Sequence, residues 1–138
     1  MLVRIASGAV LTVIVGAGLV LGGPYLFLLT LVISIIGMYE LYRVYGIEKS
    51  PIGIIGYVFA VVYYICMWLG QNEFMLLSLA AGLICIMAGY VVKFPKYKAD
   101  QAAMGFFALV YVAVMISFIY RIRLLEDGAF YVWLVFIC

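Results

Sequence analysis

The sequence predicts an all-α, polytopic transmembrane helical bundle with five full spans and a truncated sixth. Two observations carry this. Hydrophobic residues make up 70% of the chain and charged residues only 10%, against roughly 45–50% and 25% in soluble domains. A water-soluble fold of 138 residues has too little interior to hide that much apolar surface. The charges are also clustered. None occurs from Ile5 to Tyr39, Ser50 to Asn72, Phe74 to Val92, Gln101 to Tyr120, or Gly128 to Cys138. A hydrocarbon core about 30 Å thick needs roughly 20 apolar helical residues to cross it. The first gap is therefore nearly two crossings long, the next three about one each, and the last is short.

The first helix is expected over 3–21, ended by Gly22-Gly23-Pro24, because two glycines and a proline continue a helix only at a cost. The second runs over 25–45, after a turn without charge that suits a tight hairpin. Ser50-Pro51 reads as an N-cap followed by proline in the first turn, opening a third helix over 51–70. Asn72-Glu73 repeats that start signal, a cap and then an acid near the positive helix end, for a fourth over 73–92. A basic loop, Lys93 to Lys98, contains Pro95. Asp100 can cap a fifth helix over 101–121, and Asp127 a sixth over 128–138. At about 1.5 Å per residue the sixth covers about 17 Å, roughly half a bilayer. The expectation is an N-terminal transmembrane region, residues 1–138, of a longer membrane enzyme whose catalytic C-terminal half is absent.

Small residues recur at four-residue spacing in the first helix (Gly8, Thr12, Gly16) and the fourth (Ala81, Cys85, Gly89). Such faces let helices approach closely in lipid. They serve either a homodimer or packing within one bundle, and both readings stay open. Aromatic residues gather near span ends: Tyr39, Tyr42 and Tyr45; Tyr90, Phe94 and Tyr97; Tyr120; Tyr131 and Trp133. Rings with a polar tip favour the membrane interface, so these read as anchors. If the spans alternate, Arg4, Arg43, Lys49, Lys93, Lys96 and Lys98 share one side, and only Arg121 and Arg123 lie on the other. That split places the N-terminus in the cytoplasm.

Several functions find no support. The basic residues are too few and scattered for nucleic-acid binding. Cys66, Cys85 and Cys138 lie in apolar runs, and with no histidine they offer no metal-ligand pattern. There is no phosphate-cradling Gly-Lys motif, no serine elbow, and no acid at the centre of a span. Glu40 and Arg43, three apart, can pair at the end of the second helix. The Lys93–Lys98 loop is a generic cytoplasmic loop or a collecting patch for anionic lipid, each Lys contributing about 1 kcal/mol near an anionic leaflet. Arg121 and Arg123 complement the negative end of the fifth helix. They are also the candidate substrate-binding residues, because guanidinium matches phosphate oxygens in a fork. No catalytic or metal-ligating residue is identified.

Four features together resemble bacterial phosphatidate cytidylyltransferase, the CDP-diacylglycerol synthase family. They are the start Met1-Leu2-Val3-Arg4-Ile5-Ala6-Ser7-Gly8, the Gly22-Gly23 break, Glu40-Leu41-Tyr42-Arg43 closing the second helix, and the apolar run Phe130 to Cys138. The resemblance implies a nucleotidyltransferase that joins CTP and phosphatidate into CDP-diacylglycerol and pyrophosphate, for phospholipid biosynthesis in the cell (plasma) membrane. It implies Mg2+ for the full-length enzyme, with none bound by this fragment. Family metal-binding aspartates would lie beyond Cys138, so no catalytic position is carried over and the chain alone is expected to be inactive. Membrane lipids are the expected surroundings. The rivals are a fragment of a multi-span transporter or channel, and a non-enzymatic membrane scaffold. Ser7, Thr12, Thr30, Ser34, Ser78 and Ser117 look too dispersed to line a path.

Overall fold

The structure is a computed structural model that describes residues 1–138. Its helices are α1 (Leu2–Leu21), α2 (Gly23–Val44), α3 (Pro51–Trp68) and α4 (Asn72–Val92). Then come α5 (Ala99–Ala108), a π-helical segment (Leu109–Val114), α6 (Met115–Arg123) and α7 (Gly128–Ile137). No strand is present. The segments from α5 to α6 run on without interruption, so five helices have the length and apolarity to cross a membrane: Leu2–Leu21, Gly23–Val44, Pro51–Trp68, Asn72–Val92 and Ala99–Arg123.

Several expected boundaries shift for local reasons. The first break uses both glycines as expected: Gly22 and Gly23 have φ of 62° and 60°, left-handed conformations that glycine adopts without strain. Gly23 and Pro24 already belong to α2, because proline's fixed φ and missing N–H suit a first turn. Ser50 caps α3 as expected, its Oγ accepting from the Gly53 N–H at 3.1 Å. Asn72 is not a cap; it lies inside α4 after Gln71. Asp100 does not cap α5 either. It sits in the first turn, while Gln101 Oε1 reaches back to the Lys98 N–H at 3.0 Å. Asp127 does occupy the N-cap position of α7, with φ 58° and no side-chain bond to the helix.

Two hydrogen bonds at each end show that the spans alternate. At one end, Gln101 Nε2 donates to the Tyr45 carbonyl at 3.2 Å, and the Ser50 hydroxyl closes the α2–α3 turn on the Ile47 carbonyl at 2.8 Å. At the other end, Arg123 Nε donates to the Leu19 carbonyl and Arg121 Nη2 to Asn72 Oδ1, both at 3.2 Å.

The interior is built where α2, α3 and the α5–α6 span meet. α2 turns Leu26, Thr30, Ser34, Met38 and Tyr42 inward, one every four residues. α3 answers with Gly53, Gly56, Ala60, Tyr64 and Met67. Lipid tails are as apolar as leucine, so close packing rather than escape from water holds such faces together. Gly56 shows how close: a Cβ there would strike the Tyr42 hydroxyl. Only 11% of the α1 span is buried, against 39% of α3. α1 is therefore a peripheral helix and α3 the central one.

Candidate functional site

Polar chemistry concentrates in three places: the middle of the bundle and its two ends. In the middle, the Ser34 hydroxyl and Tyr64 Oη lie 2.5 Å apart. Tyr64 Oη also donates to the Ala113 carbonyl at 3.2 Å and approaches the Thr30 carbonyl at 3.4 Å. Tyrosine has one proton to give, so Ser34 donates to Tyr64 while Tyr64 serves the backbone. Next to it, Ser117 Oγ donates to the Val114 carbonyl at 2.6 Å. The Tyr63 hydroxyl, 3.1 Å from Ser117 Oγ, is then the donor in that pair. Tyr42 Oη donates to the Gly105 carbonyl at 2.8 Å.

Three of these bonds fall on or beside the π-helical segment, whose wider turn departs from the regular backbone ladder. α2, α3 and the fifth span are thus tied by hydroxyls in the one region where water cannot substitute. The network carries no charge and holds no acid, so it is suited to fixing helix positions rather than to binding phosphate or metal.

These tyrosines correct two expectations. Tyr42 and Tyr120 are not interfacial anchors; both are buried, Tyr120 against the ring of Phe27 at 5.4 Å between centroids. The hydroxyls of Thr30, Ser34 and Ser117 are also less dispersed than their sequence positions suggest. The residues missed were Tyr63 and Tyr64. A tyrosine pair inside a span, on the same helix as Gly53, Gly56 and Ala60, was the available signal.

Arg121 and Arg123 do not converge. Two positions apart on a helix they point to different sides. Arg123 reaches α1, where its guanidinium satisfies the Leu19 carbonyl left free by the Gly22 break. Arg121 reaches α4. Each has one protein partner, on a different neighbouring helix.

The opposite end holds Arg4, Glu40, Arg43, Lys49 and the Lys93–Lys98 loop. Glu40 and Arg43 share a helix face but form no ion pair, and both are exposed. Lys93, Lys96 and Lys98 are exposed, with Lys96 Nζ 5.7 Å from the centre of the Tyr97 ring. Glu48 Oε2 and Tyr57 Oη are buried without a hydrogen-bond partner.

No three residues among the His, Cys, Asp and Glu of the chain come together as metal ligands. The chain's acids thus form no cluster that would hold the Mg2+ implied by the resemblance with protein groups alone. Compared with known proteins, residues 2–138 match the sequence profile described as the cytidylyltransferase family. No curated protein and no solved structure matches the chain significantly.

Proposed function

The chain belongs to the cytidylyltransferase family, and from that premise we propose that it serves the formation of CDP-diacylglycerol at the cell membrane. In that reaction a phosphate oxygen of phosphatidate bonds to the α-phosphorus of CTP while the bond to pyrophosphate breaks. Metal ions would neutralise the charge on the phosphates. No three metal-ligating side chains of this chain come together, and no step is assigned to its residues. Their part is to carry the reaction site in the membrane, on a core fixed by the Tyr63–Ser117 and Ser34–Tyr64 bonds.

The observation that carries this reading is the family match across residues 2–138. Two features accompany it. The five apolar spans hold the protein in the phase where phosphatidate resides. The exposed Lys93–Lys98 loop attracts anionic lipid and lies at the end expected to face cytoplasmic CTP.

Deleting the coding region for residues 2–138 in the host and assaying its membranes for CTP-dependent CDP-diacylglycerol formation tests the proposal. Loss of formation is expected; undiminished formation would sink it. The purified chain alone, given CTP, Mg2+ and phosphatidate vesicles, is expected to form none. A cysteine placed at Lys96 should react with an impermeant thiol reagent only from the cytoplasmic face.

A further inference from the structure

Between α1 and α2 lies an open groove of about 380 Å3, lined among others by Arg4, Ser7 and Gly8 on one side and Ile36, Gly37 and Glu40 on the other. Its charged end is unusual for this molecule. Arg4 and Glu40 are equally far in sequence from the Gly22 turn, so the hairpin brings them to the same level. Both are exposed, and neither forms an ion pair or a side-chain hydrogen bond. The Ser7 hydroxyl is already committed to the Arg4 carbonyl at 3.0 Å. One free cation and one free anion therefore stand at the mouth of a groove whose floor is apolar and glycine-lined. A Cβ on Gly8 would meet nothing within 4 Å.

We propose that this groove holds a zwitterionic phospholipid with a primary ammonium headgroup, of the phosphatidylethanolamine type, in the leaflet at the Arg4 end. Guanidinium of Arg4 takes the lipid phosphate through a two-pronged charge-assisted bond. The Glu40 carboxylate accepts from the ammonium. Ile36, with Leu11 and Ile33 lining the same groove, meets the start of an acyl chain. A choline headgroup has no N–H to give Glu40. A glycerol headgroup, or phosphatidate, has no cation for it. The occupant is thus a bound lipid distinct from the phosphatidate of the proposed reaction, and the groove stands or falls independently of that reaction.

The test is to reconstitute the 138-residue chain in nanodiscs containing equal amounts of ethanolamine, choline and glycerol phospholipids and phosphatidate. The lipids that remain bound on mild detergent release are then counted by native mass spectrometry. The ethanolamine lipid is expected to be retained roughly fivefold over each of the others, the scale of one exposed charge contact. Arg4→Gln and Glu40→Gln should each remove that preference. Gly8→Leu, which enters open space, should lower retention of the ethanolamine lipid while helical circular dichroism stays unchanged. Equal retention of all four lipids, preference for phosphatidate, or a preference that survives both charge variants would overturn the proposal.

Discussion

Two helices of this chain carry the same pattern and put it to different use. α1 has Gly8, Thr12 and Gly16 at four-residue spacing, and α4 has Ala81, Cys85 and Gly89. On α4 the pattern lies along the side that faces α3. Gly89 lies 3.4 Å from Ile55 of α3, counted from where its Cβ would be, and the neighbouring Gly82 is wedged against Leu109 and Phe59 at 3.1 and 3.3 Å. On α1 the pattern faces outward: nothing approaches Gly8 or Gly16 within 4 Å, and the Thr12 hydroxyl turns back onto the Gly8 carbonyl at 2.8 Å. The glycine of α1 that does pack is Gly18, against Leu29, which lies outside the pattern. Spacing alone therefore says that a face can pack closely, and the neighbouring helix decides whether it does.

The sharpest test of this contrast lies at the centre of the bundle. Gly56→Leu forces a side chain into the Tyr42 hydroxyl and breaks the bond to Gly105. It should cost about 3 kcal/mol, the upper range for overpacking a filled core, read as a fall in thermal unfolding temperature in detergent. Gly82→Leu, on the packed face of α4, should cost about 2 kcal/mol by the same measurement. Tyr64→Phe keeps the ring and removes its hydroxyl, leaving the Ala113 carbonyl and Ser34 without that partner. A loss of about 1 kcal/mol is expected, typical of hydrogen bonds between helices in membranes. If the loss is nil, the hydroxyl network is not what fixes the fifth span.

The two arginines make a smaller version of the comparison. Arg123→Gln gives up the bond that ties α6 to the end of α1 and should cost about 1 kcal/mol. Arg121→Gln loses only an exposed contact to Asn72, and its cost should stay below about 0.5 kcal/mol. At the bottom of the scale, Gly8→Leu should change stability by no more than about 0.5 kcal/mol, since its side chain enters unoccupied space. A cost near that of Gly82→Leu would show that α1 packs on something at this face after all.

Much of the fold was legible because it depends on one-dimensional signals. Charge spacing marked every span, and Ser50-Pro51 marked the α3 start to the residue. Asn72 does not cap α4, its side-chain oxygen accepting instead from Arg121 across the bundle, and Asp100 does not cap α5 because Gln101 takes the helix start. The candidate site was less legible. Arg121 and Arg123 stood out as a pair in sequence, yet helix geometry sends them to different neighbours. Tyr42 and Tyr120 looked like interfacial rings because their depth in sequence matches a span end. Burial depends on what lies across the helix, and that is invisible from spacing.

By itself, the sequence determined the phase this protein occupies and the number of its long apolar helices, because backbone groups in lipid must bond within a helix and apolar length is counted along the chain. Only the tertiary structure decided which helix faces meet, that Tyr64 bonds across to the fifth span, and that Arg4 and Glu40 stand unpaired over one groove. Those outcomes depend on side-chain atoms from distant segments fitting within a few ångströms of each other, and no spacing along a single helix encodes that distance.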